Sequence, residues 1–270
     1  TAEPGLSVLP GAKARYTDSR GTPAVIVKQH GKGTTVYLNL LMTNYYLQRT
    51  ESSAGQGLRQ LLDGLLQEAG VSKSYSVTRA SGESVAGVEV HPWRSGNLRL
   101  LGLHRNYSLN IGRTSGDDSW NQKALRGPME LKVDFGTPSA LYDVRRGEYL
   151  GLKREWIGTV DEREPVILSA LPEPVKGISI RAPGRAKGGE VVSVMVELEG
   201  RRLADSHAFR VQMFDGDGQE LTMLTRNLAG PRGMCKWELP LAVDLKKGTY
   251  SLRVREIATG VSAERPLRVW

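Results

Sequence analysis

The residues whose types best fit ligand binding lie in a long polar stretch between Asn106 and Gly127, or shortly before it. The stretch combines tyrosine, tryptophan, asparagine and two adjacent aspartates, and another tryptophan stands close to the strand pattern before it. Flat aromatic faces beside carboxylate and amide groups are what a sugar surface requires of a protein. The sequence therefore predicts a glycan contact, with an ordinary interdomain packing loop as the alternative. The predicted contact residues are Trp93, Tyr107, Asp117, Asp118, Trp120 and Asn121.

Paired carboxylates could hydrolyse a glycosidic bond if one acts as a general acid and the other as a base or nucleophile. Asp117 and Asp118 are adjacent, and Asp161, Glu162 and Glu164 lie close together in VDEREP. Neither group carries an apolar wall that would favour the protonated carboxyl of a general acid. Solvated loop acids are the favoured interpretation, and no catalytic residue is predicted.

The spacing of the histidines and the cysteine does not indicate metal binding or nucleophilic catalysis. The four histidines, His30, His91, His104 and His207, never occur as H-x-H or H-x-x-x-H, whereas zinc needs three or four converging ligands. Cys235 is the single cysteine and lies in the strand-like GMCKWELPL. A nucleophile would need a nearby base and an exposed turn. We predict no metal, no cofactor and no disulfide, and a structural role for Cys235.

Two glycine-rich stretches could be ligand loops, but their details favour turns. In KQHGKGTTVYLN, Gly33 follows Lys32 where a phosphate-binding loop needs Ser or Thr, and strand formers follow where it needs a helix. This stretch predicts a hairpin. In FDGDGQEL, Asp215 and Asp217 could begin a calcium loop, but Gln219 occupies the position of the third ligand and strand patterns flank it. This stretch also predicts a hairpin turn.

One amphipathic helix is predicted near the start of the chain, ending at Gly70. Its apolar residues recur at helical spacing and form a single stripe. They are Leu58, Leu61, Leu62, Leu65, Leu66 and Ala69. One helix and about three strands cannot close a two-sided α/β core, because a sheet with a helix on one face leaves the other face exposed. We therefore expect the rest of this α/β domain to lie upstream of Thr1.

The remaining sequence predicts a mainly β protein. Short β-branched and aromatic runs recur from Ser74 onward, and a proline-rich LPEPVKG suggests a domain boundary. Seven strand patterns at spacings of about ten follow Gly177, as in an immunoglobulin-like sandwich. The predicted domains are an incomplete α/β segment at residues 1–73, a β-sandwich at 74–175 and an immunoglobulin-like β-sandwich at 176–270.

Composition restricts the partners. The formal net charge is +8, but basic residues are scattered among acidic ones, which favours a solvated surface over a nucleic-acid footprint. No run of about 18 apolar residues occurs, so no membrane span is predicted. The lone cysteine and the Thr1 start are compatible with an extracellular or periplasmic location without requiring it.

The order of the first motifs resembles bacterial β-galactosidase-like glycoside hydrolases downstream of their catalytic barrel. The motifs are GTPAVIVKQHGKGTTVYLN, GLRQLLDGLLQEAGV, VEVHPWRSGNLRLLGLHRN, SALYDVRRGEYLG and EPVILSALPEP. The resemblance spans about Ala12 to Pro174 and implies the end of an amidotransferase-like, flavodoxin-type trimerisation domain, followed by a β-sandwich. The tail, with FRVQMFDGDGQEL and LPLAVDLKKGTYSLRVREIATG, is similar to immunoglobulin-like modules of bacterial extracellular proteins.

No functional residue transfers from either family, because the catalytic glutamates of such hydrolases would belong to the barrel. The resemblance implies an accessory and assembly region that braces or oligomerises an upstream catalytic domain of the same polypeptide and contacts carbohydrate. One alternative is a complete enzyme with a site between the first two domains, around His30, His104 and the Asp117–Asp118 loop. Another is a cell-surface protein-binding module.

Overall fold

The computed structural model describes residues 2–40, 55–71, 73–85, 87–105, 127–201 and 203–270. The described residues form seventeen strands and one α-helix, which confirms the predicted mainly β fold. The chain divides into two compact units. The first comprises residues 1–73 and 108–125, and the second comprises residues 74–107 and 126–270.

The described residues of the first unit form a three-stranded antiparallel sheet and one helix. Its elements are β1 (Ala12–Thr17), β2 (Pro23–His30), β3 (Gly33–Leu38) and α1 (Gln56–Glu68). Strands β2 and β3 pair from Val25 with Leu38 to His30 with Gly33. Gly31 makes the turn with a φ of +56°, a conformation that glycine adopts without steric cost. The predicted hairpin is confirmed, and the lysine-glycine stretch is a turn.

Helix α1 matches the predicted leucine stripe and ends as predicted at Gly70. Gly70 has a φ of +78°, and the N–H of Val71 donates to the carbonyl of Leu66 at 2.9 Å across it. None of the helical residues is buried, and Leu66 is 48% exposed. Because all three strands of the unit are antiparallel, the described residues do not show the parallel pairing of a flavodoxin-like domain. The incomplete α/β tail stays a prediction.

The second unit begins with a six-stranded antiparallel sheet. Its strands are β4 (Ser76–Arg79), β5 (Val88–Ser95), β6 (Leu98–Arg105), β7 (Met129–Asp143), β8 (Glu148–Val160) and β9 (Val166–Leu171). They follow the order β4-β7-β9-β6-β5, with β8 beside β7. The patterns MELKVDF and SALYDVRRGEYLGL predict two separate strands. Strand β7 instead joins MELKVDF to SALYD, and the rest of the second pattern forms the turn before β8 and the first residues of β8. A register shift between Asp134 and Ser139, where Gly136 has a φ of +77°, allows the strand to continue through a bulge.

The second unit continues with two facing sheets of the predicted sandwich. Their strands are β10 (Gly177–Arg181), β11 (Arg185–Ala186), β12 (Val191–Glu199), β13 (Ser206–Phe214), β14 (Arg226–Pro231), β15 (Met234–Pro240), β16 (Gly248–Glu256) and β17 (Ser262–Val269). One sheet has the order β10-β12-β15 and the other β11-β17-β16-β13-β14. The immunoglobulin-like sandwich is therefore confirmed. The pattern ELTMLTRN predicts a strand that is wrong over most of its length, because Thr222–Leu224 form a 3-10 turn with Met223 exposed and β14 begins only at Arg226.

Residues on both faces of the six-stranded sheet are buried. On one face, Leu101, Leu131 and Leu168 belong to a hydrophobic core that is built from the strands of this sheet and their adjoining residues. On the other face, Leu98 and Tyr142 join the core of the immunoglobulin-like sandwich. The six-stranded sheet and the immunoglobulin-like sandwich therefore share buried apolar residues within one compact unit. The predicted division at residues 175 and 176 stays a prediction.

A close backbone approach accompanies this shared core. Gly147, in the turn between β7 and β8, lies against Gly260, in the turn between β16 and β17. A Cβ added at Gly260 would lie 2.3 Å from the Cα of Gly147. Two hydrogen bonds reinforce the junction: Ser169 donates from Oγ to the carbonyl of Ala258 at 2.5 Å, and Val175 N–H donates to the hydroxyl of Tyr142 at 2.9 Å.

Candidate functional site

Of the six residues predicted to contact glycan, the structure describes only Trp93. It lies on β5, an edge strand of the six-stranded sheet. The others, Tyr107, Asp117, Asp118, Trp120 and Asn121, lie outside the described residues. Their grouping with Trp93 stays a prediction.

Trp93 presents an aromatic face to solvent. The residue is 55% exposed, and its ring is stacked with the imidazole of His91, with ring centroids 5.9 Å apart and an interplanar angle of 20°. Gly102 on β6 allows the ring to lie close to the sheet, because a Cβ there would be only 3.1 Å from Trp93 Cζ3. The aromatic face is therefore held by the sheet while it stays accessible.

Polar groups extend the Trp93 surface along β5. Residues two apart on a strand share one face, so Glu89, His91 and Trp93 form a row, which we call the Trp93 row. Nε2 of His91 lies 3.4 Å from Oε2 of Glu89. An exposed ring beside imidazole and carboxylate groups can stack on a sugar ring and hydrogen-bond its hydroxyls. The sequence analysis missed Glu89 and His91, although the alternation of β5 could have identified them.

A shallow hollow of about 160 Å³ adjoins the Trp93 row. Trp93 lines it together with Arg94, Arg99, Tyr75 and Phe135. The guanidinium of Arg99 lies over the Phe135 ring, 5.4 Å from its centroid. Neighbouring residues of a strand point to opposite faces, so Arg94, with Arg99 directly opposite it, lies on the other face of the sheet from the Trp93 ring. The sequence analysis did not single out these two cationic groups.

The alternative catalytic grouping stays a prediction. His30 lies at the end of β2 in the first unit, His104 lies on β6 in the second, and Asp117 and Asp118 lie outside the described residues. Among the residues that the structure describes, no three histidine, cysteine or acidic side chains converge as a metal site.

Three acidic groups named in the sequence analysis, Asp161, Glu162 and Asp215, accept hydrogen bonds from backbone N–H groups. Oδ1 of Asp161 accepts a hydrogen bond from the N–H of Arg163 at 2.8 Å, and Oε1 of Glu162 accepts one from Gly127 N–H at 2.5 Å. Oδ1 of Asp215 accepts from the N–H groups of Asp217 and Gln219, at 3.0 and 2.8 Å. The predicted turn in FDGDGQEL is confirmed.

A buried polar network, the His207 network, consists of His207, Glu256 and Thr259. Nδ1 of His207 lies 3.0 Å from Oε1 of Glu256, and neither side chain is exposed. Nε2 of His207 accepts from the N–H of Ala204 at 3.0 Å, so Nδ1 is the nitrogen that donates to the carboxylate. Thr259 donates to Oε2 of Glu256 from its N–H and its hydroxyl, at 2.7 and 2.6 Å. Because its members hydrogen-bond one another away from solvent, the network has a structural role: it links β13 to the end of β16 and the turn that follows.

Cys235 is a buried thiol on β15, as predicted. Burial raises its pKa to about 11, so at pH 8 only about one thiol in a thousand is ionised. We expect iodoacetamide to modify Cys235 in urea-unfolded protein at least a hundredfold faster than in native protein, because the thiolate is the nucleophile. Mass spectrometry of samples quenched over time measures both rates. Equal rates would contradict the burial of the thiol.

Comparisons with known proteins leave the family open. No family model and no curated protein matches the chain. A solved structure of red sea bream transglutaminase matches with 9% identity and a TM-score of 0.27, over 93% of this chain and 38% of the transglutaminase. Chicken CNTN1 FN1–FN3 domains match with 8% identity and a TM-score of 0.25, over 68% of this chain and 67% of theirs. The sequence identities and TM-scores are too low for these structures to bear on function. The resemblance to glycoside hydrolases stays a prediction.

No helix in the part of the chain that the structure describes is long and apolar enough to cross a membrane.

Proposed function

We propose that this chain is a non-catalytic accessory and assembly region of a multidomain carbohydrate-active protein. It braces or oligomerises a catalytic domain, and it contacts glycan through the Trp93 row. The observation that carries the proposal is the exposed Trp93 ring, stacked on His91 and held against Gly102 on a firmly packed sheet. A fixed aromatic plane costs little conformational entropy when it binds a sugar face.

The packing of the second unit supports the bracing role. The six-stranded sheet and the immunoglobulin-like sandwich share a buried core that includes Leu98 and Tyr142. The Gly147–Gly260 approach and the hydrogen bond from Ser169 tie the same two parts together. A unit joined in this way can hold a neighbouring domain at a fixed position.

The apolar stripe of α1 supports the assembly role. Its leucines stay partly or largely exposed, and Leu66 is 48% exposed. A helix with an apolar stripe normally buries it against other polypeptide. The proposed cover is the upstream catalytic domain or a second copy of the chain.

One observation favours the alternative of a complete enzyme. Nδ1 of His104 is buried and has no hydrogen-bond partner within the described ranges, which is unusual for a histidine without a further role. Glu89 stands directly opposite His104 in the pairing of β5 with β6 and is the described candidate for a second group. The glycan-contact proposal is preferred because it rests on an aromatic ring that is 55% exposed. A cell-surface protein-binding module remains the third reading, and retention on a protein partner without sugar dependence would support it.

Trp93→Ala is expected to weaken the affinity of the chain for the polysaccharide that retards it at least tenfold, because stacking of the sugar on an aromatic ring is lost. The measurement is affinity electrophoresis in gels containing soluble polysaccharides, including galactans. Trp270→Ala is the matched control, because Trp270 is also largely exposed, at 59% against 55% for Trp93. Equal retention of both variants and the parent chain would remove the Trp93 row from the proposal.

A further inference from the structure

An apolar groove of about 440 Å³ lies between the six-stranded sheet and the immunoglobulin-like sandwich. Its floor is the face of the six-stranded sheet that carries Leu100 and Ile167. Its wall comes from β13, β14 and the turn after β16, and includes Ala208, Ala229 and Ile257. Cavities of about 300 to 1,000 Å³ with mostly apolar walls and a few polar groups are typical of small-molecule sites.

The groove continues the surface of the Trp93 row. Trp93 stands directly opposite Leu100, which lines the groove, and paired residues of neighbouring strands point to the same face. The indole ring lies over Gly102, and Ile167, another residue of the groove floor, stands opposite Gly102 on β9. The aromatic ring and the groove therefore adjoin on one face of the sheet.

The floor and the wall of the groove are fixed to each other by hydrogen bonds. Oγ of Ser95 donates to the carbonyl of Ser206 at 3.3 Å and accepts from the N–H of Ser206 at 3.2 Å. The buried bond from Ser169 to the carbonyl of Ala258 joins the same two parts. A site with fixed walls loses little conformational entropy when a ligand enters it.

The residues of the groove favour a neutral ligand group. Of the described residues that line it, only His207 and Glu256 are ionisable, and their buried side chains bind each other. Two exposed polar side chains, Ser206 and Asn227, also line it, and neither forms a side-chain hydrogen bond within the described part of the chain. A side-chain amide can donate to the carbonyl of an ester. The groove therefore suits an apolar group that is attached through a carbonyl.

We propose that the groove binds the acyl group of an acylated saccharide whose sugar ring stacks on Trp93. The ligand class is a neutral sugar esterified with an aromatic or short aliphatic acid. The acyl group lies on Leu100 and Ile167, and the amide of Asn227 donates to the ester carbonyl. This inference rests on the glycan contact of the proposed function and adds the class of glycan.

The test measures binding of the 270-residue chain by isothermal titration calorimetry. The probes are galactan oligosaccharides, the same oligosaccharides carrying acetyl or hydroxycinnamoyl esters, and methyl hydroxycinnamate, which has the acyl group without the sugar. Ala229→Phe fills the groove from an exposed position on β14. Ala14→Phe is the matched control, because Ala14 is an exposed strand alanine on β1 and does not line the groove.

At least one acylated oligosaccharide is expected to bind ten or more times as tightly as its unacylated parent, because the acyl group leaves water. Ala229→Phe should abolish this gain and leave binding of the unacylated parent unchanged, which also shows that the variant is folded. Ala14→Phe should change neither. Asn227→Ala should weaken binding of the acylated probe about two- to tenfold, as for one lost neutral hydrogen bond. Trp93→Ala should weaken binding of both saccharides.

Four results would overturn the inference. Equal binding of acylated and unacylated probes, or a gain that survives Ala229→Phe, would leave the glycan contact standing and remove the acyl group from the groove. Methyl hydroxycinnamate that binds as tightly as the acylated sugar, unaffected by Trp93→Ala, would show an apolar site unconnected with glycan. Binding of no saccharide would remove the glycan contact together with the inference.

Discussion

Gly260→Ala is expected to lower the free energy of unfolding by about 2 to 5 kcal/mol. The added Cβ would lie 2.3 Å from the Cα of Gly147 and 2.5 Å from its carbonyl oxygen, so one of the two turns must move. Overpacking of this kind typically costs about 1 to 3 kcal/mol. The φ of +76° at Gly260 adds roughly 1 to 2 kcal/mol for a residue with a side chain. Equilibrium urea unfolding, followed by tryptophan fluorescence, measures the sum.

Gly218→Ala separates the two contributions. Gly218 has nearly the same φ, +78°, but a Cβ there meets no atom within 4 Å. Its loss should be only the conformational cost, about 1 to 2 kcal/mol. The difference between the two variants is then the cost of the junction itself. Equal losses would show that the Gly147–Gly260 approach relaxes freely and does not hold the six-stranded sheet to the immunoglobulin-like sandwich.

His207→Ala is expected to cost about 3 to 5 kcal/mol, because it removes one partner of a fully buried pair. Oε1 of Glu256 would lose its 3.0 Å contact, and Ala204 N–H would lose its acceptor. The remaining carboxylate would stay buried and would keep only its hydrogen bonds from Thr259 among those described for the network. Chemical denaturation measures this loss, and circular dichroism of the folded variant shows whether the sheets persist.

Lys236→Ala is the control for the His207 network. Lys236 forms an ion pair with Glu238 on β15, but both side chains are about half exposed. Exposed pairs typically contribute only about 0 to 1 kcal/mol. A loss in His207→Ala no larger than that in Lys236→Ala would contradict the bracing role of the buried network. Thr259→Val, which removes one donor to Glu256, should lie between the two.

Local patterns were sufficient to predict several elements. The leucine spacing predicted α1, and the two glycine-rich stretches predicted turns, because helices and hairpins depend on residues that are close in sequence. The immunoglobulin-like sandwich followed from alternation and turn spacing after Gly177. In each case the physical cause lies within about ten residues of the chain.

Features that depend on distant residues could not be predicted in the same way. His207 and Glu256 are 49 residues apart, and no local pattern brings them together. Gly147 and Gly260 read as ordinary turn glycines until the fold places their turns against each other. Strand β7 continues through a bulge at Gly136, where the sequence suggested an end to one strand and the start of another.

In the candidate site, too, some features depend on nearby residues and others on residues that are distant in sequence. The exposed aromatic character of Trp93 was predicted, since it follows from residue type and a strand pattern. Its support by Gly102 and the opposition of Arg94 to Arg99 depend on the register of β5 and β6. A one-residue change of register would place other side chains at these positions.

The most direct test of the proposed function is to measure binding and hydrolysis together, with the purified chain and each glycan that retains it. The proposal predicts retention that depends on Trp93 and no release of reducing sugar above the level of a buffer blank. Hydrolysis by the chain, abolished in His104→Ala or Asp118→Ala, would contradict the account and establish an enzyme.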